Sequence, residues 1–506
     1  MTTTKQEIKL NFIITILTSI FTFLINKYFS EYMGINELGL MKLFVQLISY
    51  LNLVELGIGT AAMYELYKYL SKNDYENINS ILYTLNVFYW KISKYIMLFG
   101  GVIALFFPFL VKDSLNLQTY VIWFIYVLGV ISSYSYAKNY TLFLADQKFS
   151  YVRKVQGISK IFVQILQLIV IIKWNSFYIF ATLIILENIF IYNFFRKKYI
   201  KEYFKFEDYT NKIINRDLIK NIKYLFWHKI GSLIVFNTDY IVISIFISLR
   251  IVGIYSNYLL ICQALAMIIG ISTSVLTPKI GKFITENNKN KIYFYWKKLD
   301  TLYLFINLFL ILTTYQLIDS FIILWLGNDY LLPNTTLRLI LLNLFIQMNR
   351  TMIDIFKSGS GFFDDTYSPV LESIINLFFS IVLVKKIGFN GILIGTLLSN
   401  IVVIYCLKPI LVFKRCFDKK ISDYIKNICF QNFLILISII SVSKILTIIK
   451  IEEINSWVEW IIFAIKVSII VLLSLIISFS FNKEFRILLL NILKLFKNMK
   501  RMKKNE

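Results

Sequence analysis

The chain has 506 residues, 58% of them hydrophobic and only 17% charged, with 54 Lys and Arg against 30 Asp and Glu and a formal net charge of +24. A water-soluble domain carries about 45–50% apolar and roughly 25% charged residues, so this composition excludes a soluble globular protein. The positive excess leaves two readings, a nucleic-acid binder or a membrane protein with basic cytoplasmic loops.

The apolar residues stand in blocks long enough to cross a hydrocarbon core of about 30 Å as helices. The first, 10–29, is longer than a signal-peptide core and lacks an A-x-A cleavage site, so it reads as a first span. Further spans are predicted over 38–62, 81–111, 117–144, 151–172 and 175–195, giving a six-helix bundle within 1–195. A basic linker, 196–221, follows. Six more spans, 222–248, 252–277, 300–325, 334–356, 367–384 and 388–413, form a second bundle over 222–413. Two additional spans, 425–449 and 456–481, occupy 414–481, so the expected fold is an all-α integral membrane protein of about fourteen transmembrane helices. The tail 482–506 repeats Phe485, Leu488, Leu489, Ile492, Phe496 and Met499 at helical spacing among Lys and Arg. That pattern reads as a basic amphipathic helix on an anionic leaflet.

Charge placement decides between the two readings. With a cytoplasmic N-terminus, nine basic residues fall in 196–223, six in 279–298 and eight from 482 onward, all on the same side. Loops 30–37 and 326–334, on the other side, have none. This is the positive-inside pattern with both termini cytoplasmic, and it accounts for the net charge without nucleic acid.

A shift of 214 residues lays the first six spans on the second six. Leu38-Gly39-Leu40 falls on Val252-Gly253-Ile254, Lys68 on Lys282, and Thr182-Leu183 on Thr396-Leu397. An even number of spans per half implies a parallel repeat about an axis along the membrane normal, with a site between the halves.

Polar residues in the spans mark that site. Span 1 carries Asn11, Thr15, Thr18, Thr22 and Asn26 on one face, and span 2 carries Lys42, Gln46, Ser49 and Asn52. Span 7 adds His228, Ser232 and Asp239, and span 8 adds Ser256, Gln263, Gly270 and Ser274. In lipid such faces must meet protein or water, so they line either a hydrated cavity or helix–helix contacts. Lys229 and Arg350 are expected in the cytoplasmic half, where a phosphate would enter, and Lys27 and Lys42 toward the opposite face, where it would leave. Asp239 and Glu55 are candidates for coupling to a cation, Na+ or H+. Arg350 and Asp354, four apart, also suit a simple pair on one helix. A lone histidine, His228, argues against a His-rich metal site or a histidine-based triad. Cys262, Cys406, Cys416 and Cys429 lack paired spacing and read as reduced packing residues. No phosphate-binding Gly-x4-Gly-Lys loop, nucleophile elbow or His-Glu-x-x-His pair is present, which argues for transport rather than catalysis.

The stretches Asn237-Thr-Asp-Tyr-Ile-Val-Ile-Ser244 and Val252-Gly-Ile-Tyr-Ser-Asn-Tyr258 resemble the span 7–8 signature of Wzx-type oligosaccharide flippases. Pro369-Val-Leu-Glu-Ser-Ile-Ile-Asn376, with Lys385, Gly388, Gly391 and Gly395-Thr396, is similar to their spans 11 and 12. These proteins belong to the multidrug/oligosaccharidyl-lipid/polysaccharide exporter superfamily. The resemblance implies an undecaprenyl-diphosphate-linked oligosaccharide as substrate, alternating access, and polysaccharide polymerase and chain-length regulator proteins as partners, all in the bacterial cytoplasmic membrane. Basic residues in span 1 often engage the diphosphate in such proteins, whereas here that span has only Lys27 near its outer end. A multidrug exporter of the same fold, or a membrane glycan polymerase or ligase, is the alternative.

Overall fold

The computed structural model describes residues 2–55, 58–113, 115–203, 213–216, 218–219, 222, 238–362, 365, 367–448 and 454–491. They form helices without strands. Eleven helices among them are long and apolar enough to cross a membrane, so the chain is a multi-pass membrane protein. Many large apolar side chains, such as Leu105, Phe109, Ile469 and Ile477, are exposed on the outside of these helices, as a lipid solvent allows. Residues 223–237 of span 7, with His228, Lys229 and Ser232, residues 204–212, 217 and 220–221 of the basic linker, and the tail beyond 491 lie outside the described residues.

The chain divides into two compact units, 1–257 and 258–506. In the first, α1 (Thr2–Tyr32), α2 (Ile35–Leu51), α3 (Ile58–Leu70), α4 (Tyr75–Leu105), the short α5 (Phe107–Leu110), α6 (Leu117–Ala145), α7 (Phe149–Trp174) and α8 (Phe177–Tyr203) follow in order. The expected second span, 38–62, is not continuous: α2 ends at Leu51, a 3-10 turn covers Asn52–Glu55, and α3 starts afresh at Ile58. Helices α6 and α8, α1 and α7, and α4 and α6 pack side by side. Their core centres on fully buried Trp123, whose Nε1 donates to the Gly100 carbonyl at 2.8 Å and whose ring lies 5.3 Å from Phe44 and 5.4 Å from Phe107. Trp123→Ala is expected to cost about 3–5 kcal/mol in a thermal or denaturant melt of detergent-solubilised protein, the range for emptying a packed aromatic site. Helix α9 (Asp239–Phe246) and the first turns of α10 (Leu249–Glu286) complete this unit.

In the second unit α10 continues and is followed by α11 (Lys289–Leu326), α12 (Asn334–Asn349), α13 (Thr351–Gly359), α14 (Tyr367–Ile387), α15 (Phe389–Phe417), α16 (Ile421–Ile448) and α17 (Trp457–Phe479). Helix α15 contains two π-helical stretches, Ile401–Leu407 and Phe413–Phe417. Gly388, at φ 61°, makes the turn between α14 and α15. These two helices then pack backbone to backbone: a Cβ on Gly391 would lie 2.4 Å from the Leu383 carbonyl oxygen, and one on Gly395 2.6 Å from the Ser380 nitrogen. Small residues of this kind are how membrane helices gain close contact without a hydrophobic driving force between them. Trp296, Phe413 and Phe417 form an aromatic core with centroids 5.0–5.3 Å apart.

Candidate functional site

Within the first unit the polar face of span 1 has two fates. Thr15, Thr18 and Thr22 donate their hydroxyls to carbonyls of their own helix one turn back, at 2.8–2.9 Å. Gln164 of α7 donates to Thr22 Oγ1 at 3.1 Å, so this part of the face is helix contact. Asn26, one turn further, is buried and belongs to a relay. Lys42 Nζ donates to Asn26 Oδ1 at 3.0 Å, Asn26 Nδ2 donates to Asn257 Oδ1 at 2.9 Å, and Asn257 Nδ2 donates to the Gly253 carbonyl at 3.2 Å. Lys42 has no carboxylate within 4.0 Å among the described residues, so its charge is met by an amide alone.

The relay sits beside a close backbone approach at two glycines. A Cβ on Gly39 of α2 would fall 1.9 Å from the Leu249 carbonyl oxygen, and one on Gly253 of α10 would fall 2.5 Å from that of Ile35. Only glycine allows the two helix ends to meet there. Asp239 accepts from the Tyr255 hydroxyl at 3.4 Å, and Tyr50 is hydrogen-bonded to Gln46, whose Nε2 also donates to Ser49 at 3.2 Å. Lys27 stands apart, its ammonium 5.9 Å from the Tyr28 ring centroid. Glu55 is hydrogen-bonded to Tyr134, which also donates to Asn52 Oδ1 at 3.3 Å. Glu55 therefore belongs to a tyrosine cluster inside this unit, stacked Tyr89 included.

The second unit holds a cavity of about 460 Å³ between α10 and the α12–α13 segment, lined by Gly270, Thr273, Thr277, Gln347, Arg350 and Asp354 among others. That volume lies in the range of ligand pockets, about 300–1,000 Å³. Gln263, also on α10, is exposed and does not line it. Arg350 occupies the break between α12 and α13. Its Nε donates to Asp354 at 2.8 Å, and its guanidinium lies 3.6 Å from Glu372 of α14. Lys408 of α15, buried at 4% exposure, donates to the other Asp354 oxygen at 3.3 Å. Two cations and two carboxylates thus close into a neutral network at the cavity wall. The pairing of Arg350 with Asp354 follows from their spacing, but Glu372 and Lys408 as further partners do not. An anion reaching Arg350 must compete with carboxylates already there.

The four cysteines are free thiols; Cys262 and Cys416 are buried, whereas Cys406 and Cys429 are exposed rather than packed inside. No curated protein matches the chain. Among solved structures, a lipid II flippase MurJ in an inward closed conformation superposes with a TM-score of 0.67 at 16% identity, over 93% of this chain and 99% of that one. An inward-facing multidrug resistance MATE family transporter of the MOP superfamily gives 0.61 at 12% identity, over 77% and 92%. At these identities the likeness shows the fold, the all-helical fold of MOP superfamily transporters. The model of one family, described as polysaccharide biosynthesis protein, matches residues 5–284, more than half of the sequence, and the chain belongs to that family.

Proposed function

We propose that the protein is a flippase that carries undecaprenyl-diphosphate-linked oligosaccharide across the bacterial cytoplasmic membrane by alternating access, for surface polysaccharide assembly. The observation that carries this reading is the 460 Å³ cavity of the second unit, whose wall combines Thr and Ser hydroxyls and the Gln347 amide with Arg350 and Asp354. Hydroxyls and amides suit a glycan, and a guanidinium suits a phosphate or an acidic sugar. The prenyl tail would stay in lipid, since moving it into a polar cavity gains nothing. Membership in the polysaccharide biosynthesis family supports the same substrate class, and the MurJ neighbour is a flippase of lipid II, itself lipid-linked. In this proposal Arg350 and Lys229 serve capture on the cytoplasmic side, and Lys42 and Lys27 serve release, with Gln46 on the same helix as Lys42. Asp239 and Glu55 are proposed as coupling groups, and both termini are placed in the cytoplasm.

Deleting the gene is expected to leave completed lipid-linked oligosaccharide on the cytoplasmic leaflet, protected from an externally added glycan-modifying reagent. Wild-type protein relieves the block, whereas Arg350→Ala restores no more than about a tenth of the flux, as loss of a charged substrate contact predicts. Units that reach the outer face but stay unpolymerised would replace the flippase by a polymerase. Unchanged glycan with new drug sensitivity would replace it by a multidrug exporter.

A further inference from the structure

Ser480, Phe481 and Asn482 separate α17 from a helix over 483–491, the start of the basic tail. Asn482 caps that helix, its Oδ1 accepting from the Phe485 nitrogen at 3.0 Å. Its own backbone nitrogen donates to the Phe479 carbonyl at 2.8 Å, so the tail leaves the span in a set direction. Phe485 is buried, with its ring 4.9 Å from Phe305 of α11 and 5.4 Å from Phe479. Glu484 meets Lys297 of α11 at 2.8 Å. The sequence pattern expects the apolar side of the tail on the leaflet, whereas Phe485 docks on the bundle.

This docking leaves a basic edge bare. Lys483, Arg486 and Leu490 are exposed and stand at i, i+3 and i+7, on one face of the helix. The same spacing continues in the sequence through Lys494, Lys497 and Arg501. On α11, Lys291 and Phe294 lie within two turns of Lys297 and are exposed as well. Between 482 and 505 the only acidic residue is Glu484, which Lys297 neutralises. No carboxylate comes within 4.0 Å of Lys483, Arg486 or Lys291 among the described residues. Bare cations alone would suit an acidic soluble protein. Phe481, Phe294 and Leu490, at 66%, 61% and 58% exposure, would not. An anionic leaflet suits both, its phosphates taking the cations and its glycerol and acyl region the apolar groups. We propose that this edge, Lys483 and Arg486 with the adjoining start of α11, binds the head groups of anionic phospholipid in the leaflet at which α17 ends. Because Phe485 and the Lys297–Glu484 pair fix the tail to α11 and α17, lipid bound there is held against the bundle. The surface does not depend on the flippase reading.

The test reconstitutes full-length protein in dioleoylphosphatidylcholine vesicles with a bimane label at Asn491→Cys. Cys406→Ser and Cys429→Ser remove the exposed native thiols. Brominated phosphatidylglycerol and brominated phosphatidylcholine are compared as quenchers at equal mole fraction. Phosphatidylglycerol is expected to associate with the labelled edge about tenfold more tightly than phosphatidylcholine, a preference that shrinks as salt rises. The double variant Lys483→Gln with Arg486→Gln, both at the surface, is expected to cut that preference about fivefold or more. Lys197→Gln with Lys201→Gln, exposed cations on α8 of the first unit, leaves it unchanged. Equal quenching by the two lipids would overturn the proposal and leave the edge to an acidic soluble partner. So would a preference that survives the tail variant, or one that falls as far in the α8 variant. Loss of glycan flux with the lipid preference intact would count against the flippase and not against this surface.

Discussion

Gly39→Ala is expected to destabilise the first unit by about 3 kcal/mol or more, well above the usual single-substitution cost, and to reduce transport at least in proportion to the folded protein lost. The added Cβ would stand 1.9 Å from the Leu249 carbonyl oxygen and 2.8 Å from the carbon behind it. Both atoms are backbone, so no side chain can rotate away, and the helices must separate by about an ångström to restore ordinary contact. Separation also pulls on the relay, because Lys42 lies one turn beyond Gly39 and Asn257 one turn beyond Gly253. The Asn26–Asn257 hydrogen bond, at 2.9 Å between buried groups, would open in lipid without water to replace it. Gly101→Ala is the matched control: it lies in α4 with nothing within 4 Å of its Cβ, and is expected within about ±0.5 kcal/mol of wild type. The two melts together decide the matter. Equal stability of Gly39→Ala and Gly101→Ala would mean that α2 and α10 do not touch at the glycines.

The spanning helices were legible because an apolar block of about twenty residues has few other options once the chain meets a bilayer. Their interruptions were less so. Between α2, which stops at Leu51, and α3, which starts at Ile58, the chain carries Gly57, with Gly59 just beyond, a breaker signal that a continuous span over 38–62 passes over. The break at Arg350 is free of Gly and Pro. Each break coincides with a contact to another helix: Asn52 accepts from Tyr134 of α6, and Arg350 reaches Glu372 of α14.

The site divides the same way. Arg350 with Asp354 was readable as a four-residue spacing, because neighbours on one helix face follow from the helical period alone. Lys408 was not, since 54 residues separate it from Asp354 and it sits near the end of a span where a lysine reads as a snorkelling interface residue. The division of the span 1 face between the Gln164 contact and the Asn26 relay depended on which helix each turn meets.

The Arg350–Asp354–Lys408–Glu372 network makes the second large prediction. Asp354→Asn is expected to destabilise the second unit by about 3–5 kcal/mol, the cost of removing one partner from buried ion pairs. The carboxylate is shared: one oxygen faces Arg350 at 2.8 Å and the other Lys408 at 3.3 Å. Without it Lys408 keeps its charge at 4% exposure with no other carboxylate within 4.0 Å among the described residues. Arg350 suffers less, since Glu372 remains 3.6 Å away. The double variant Asp354→Leu with Lys408→Met removes a buried pair together, and such replacements are often neutral or stabilising by about 1–4 kcal/mol. Its melt is therefore expected near wild type, and the cycle closed with the single variants Asp354→Leu and Lys408→Met is expected to give a coupling energy of several kcal/mol. The same variant separates folding from transport. It leaves Arg350 with a single carboxylate competitor, so if Arg350 captures an anionic head group, the double variant should flip glycan as well as wild type or better. A stable double variant that transports nothing would instead assign the network itself to the conformational cycle, with Asp354 passing between Arg350 and Lys408 as the cavity opens and closes.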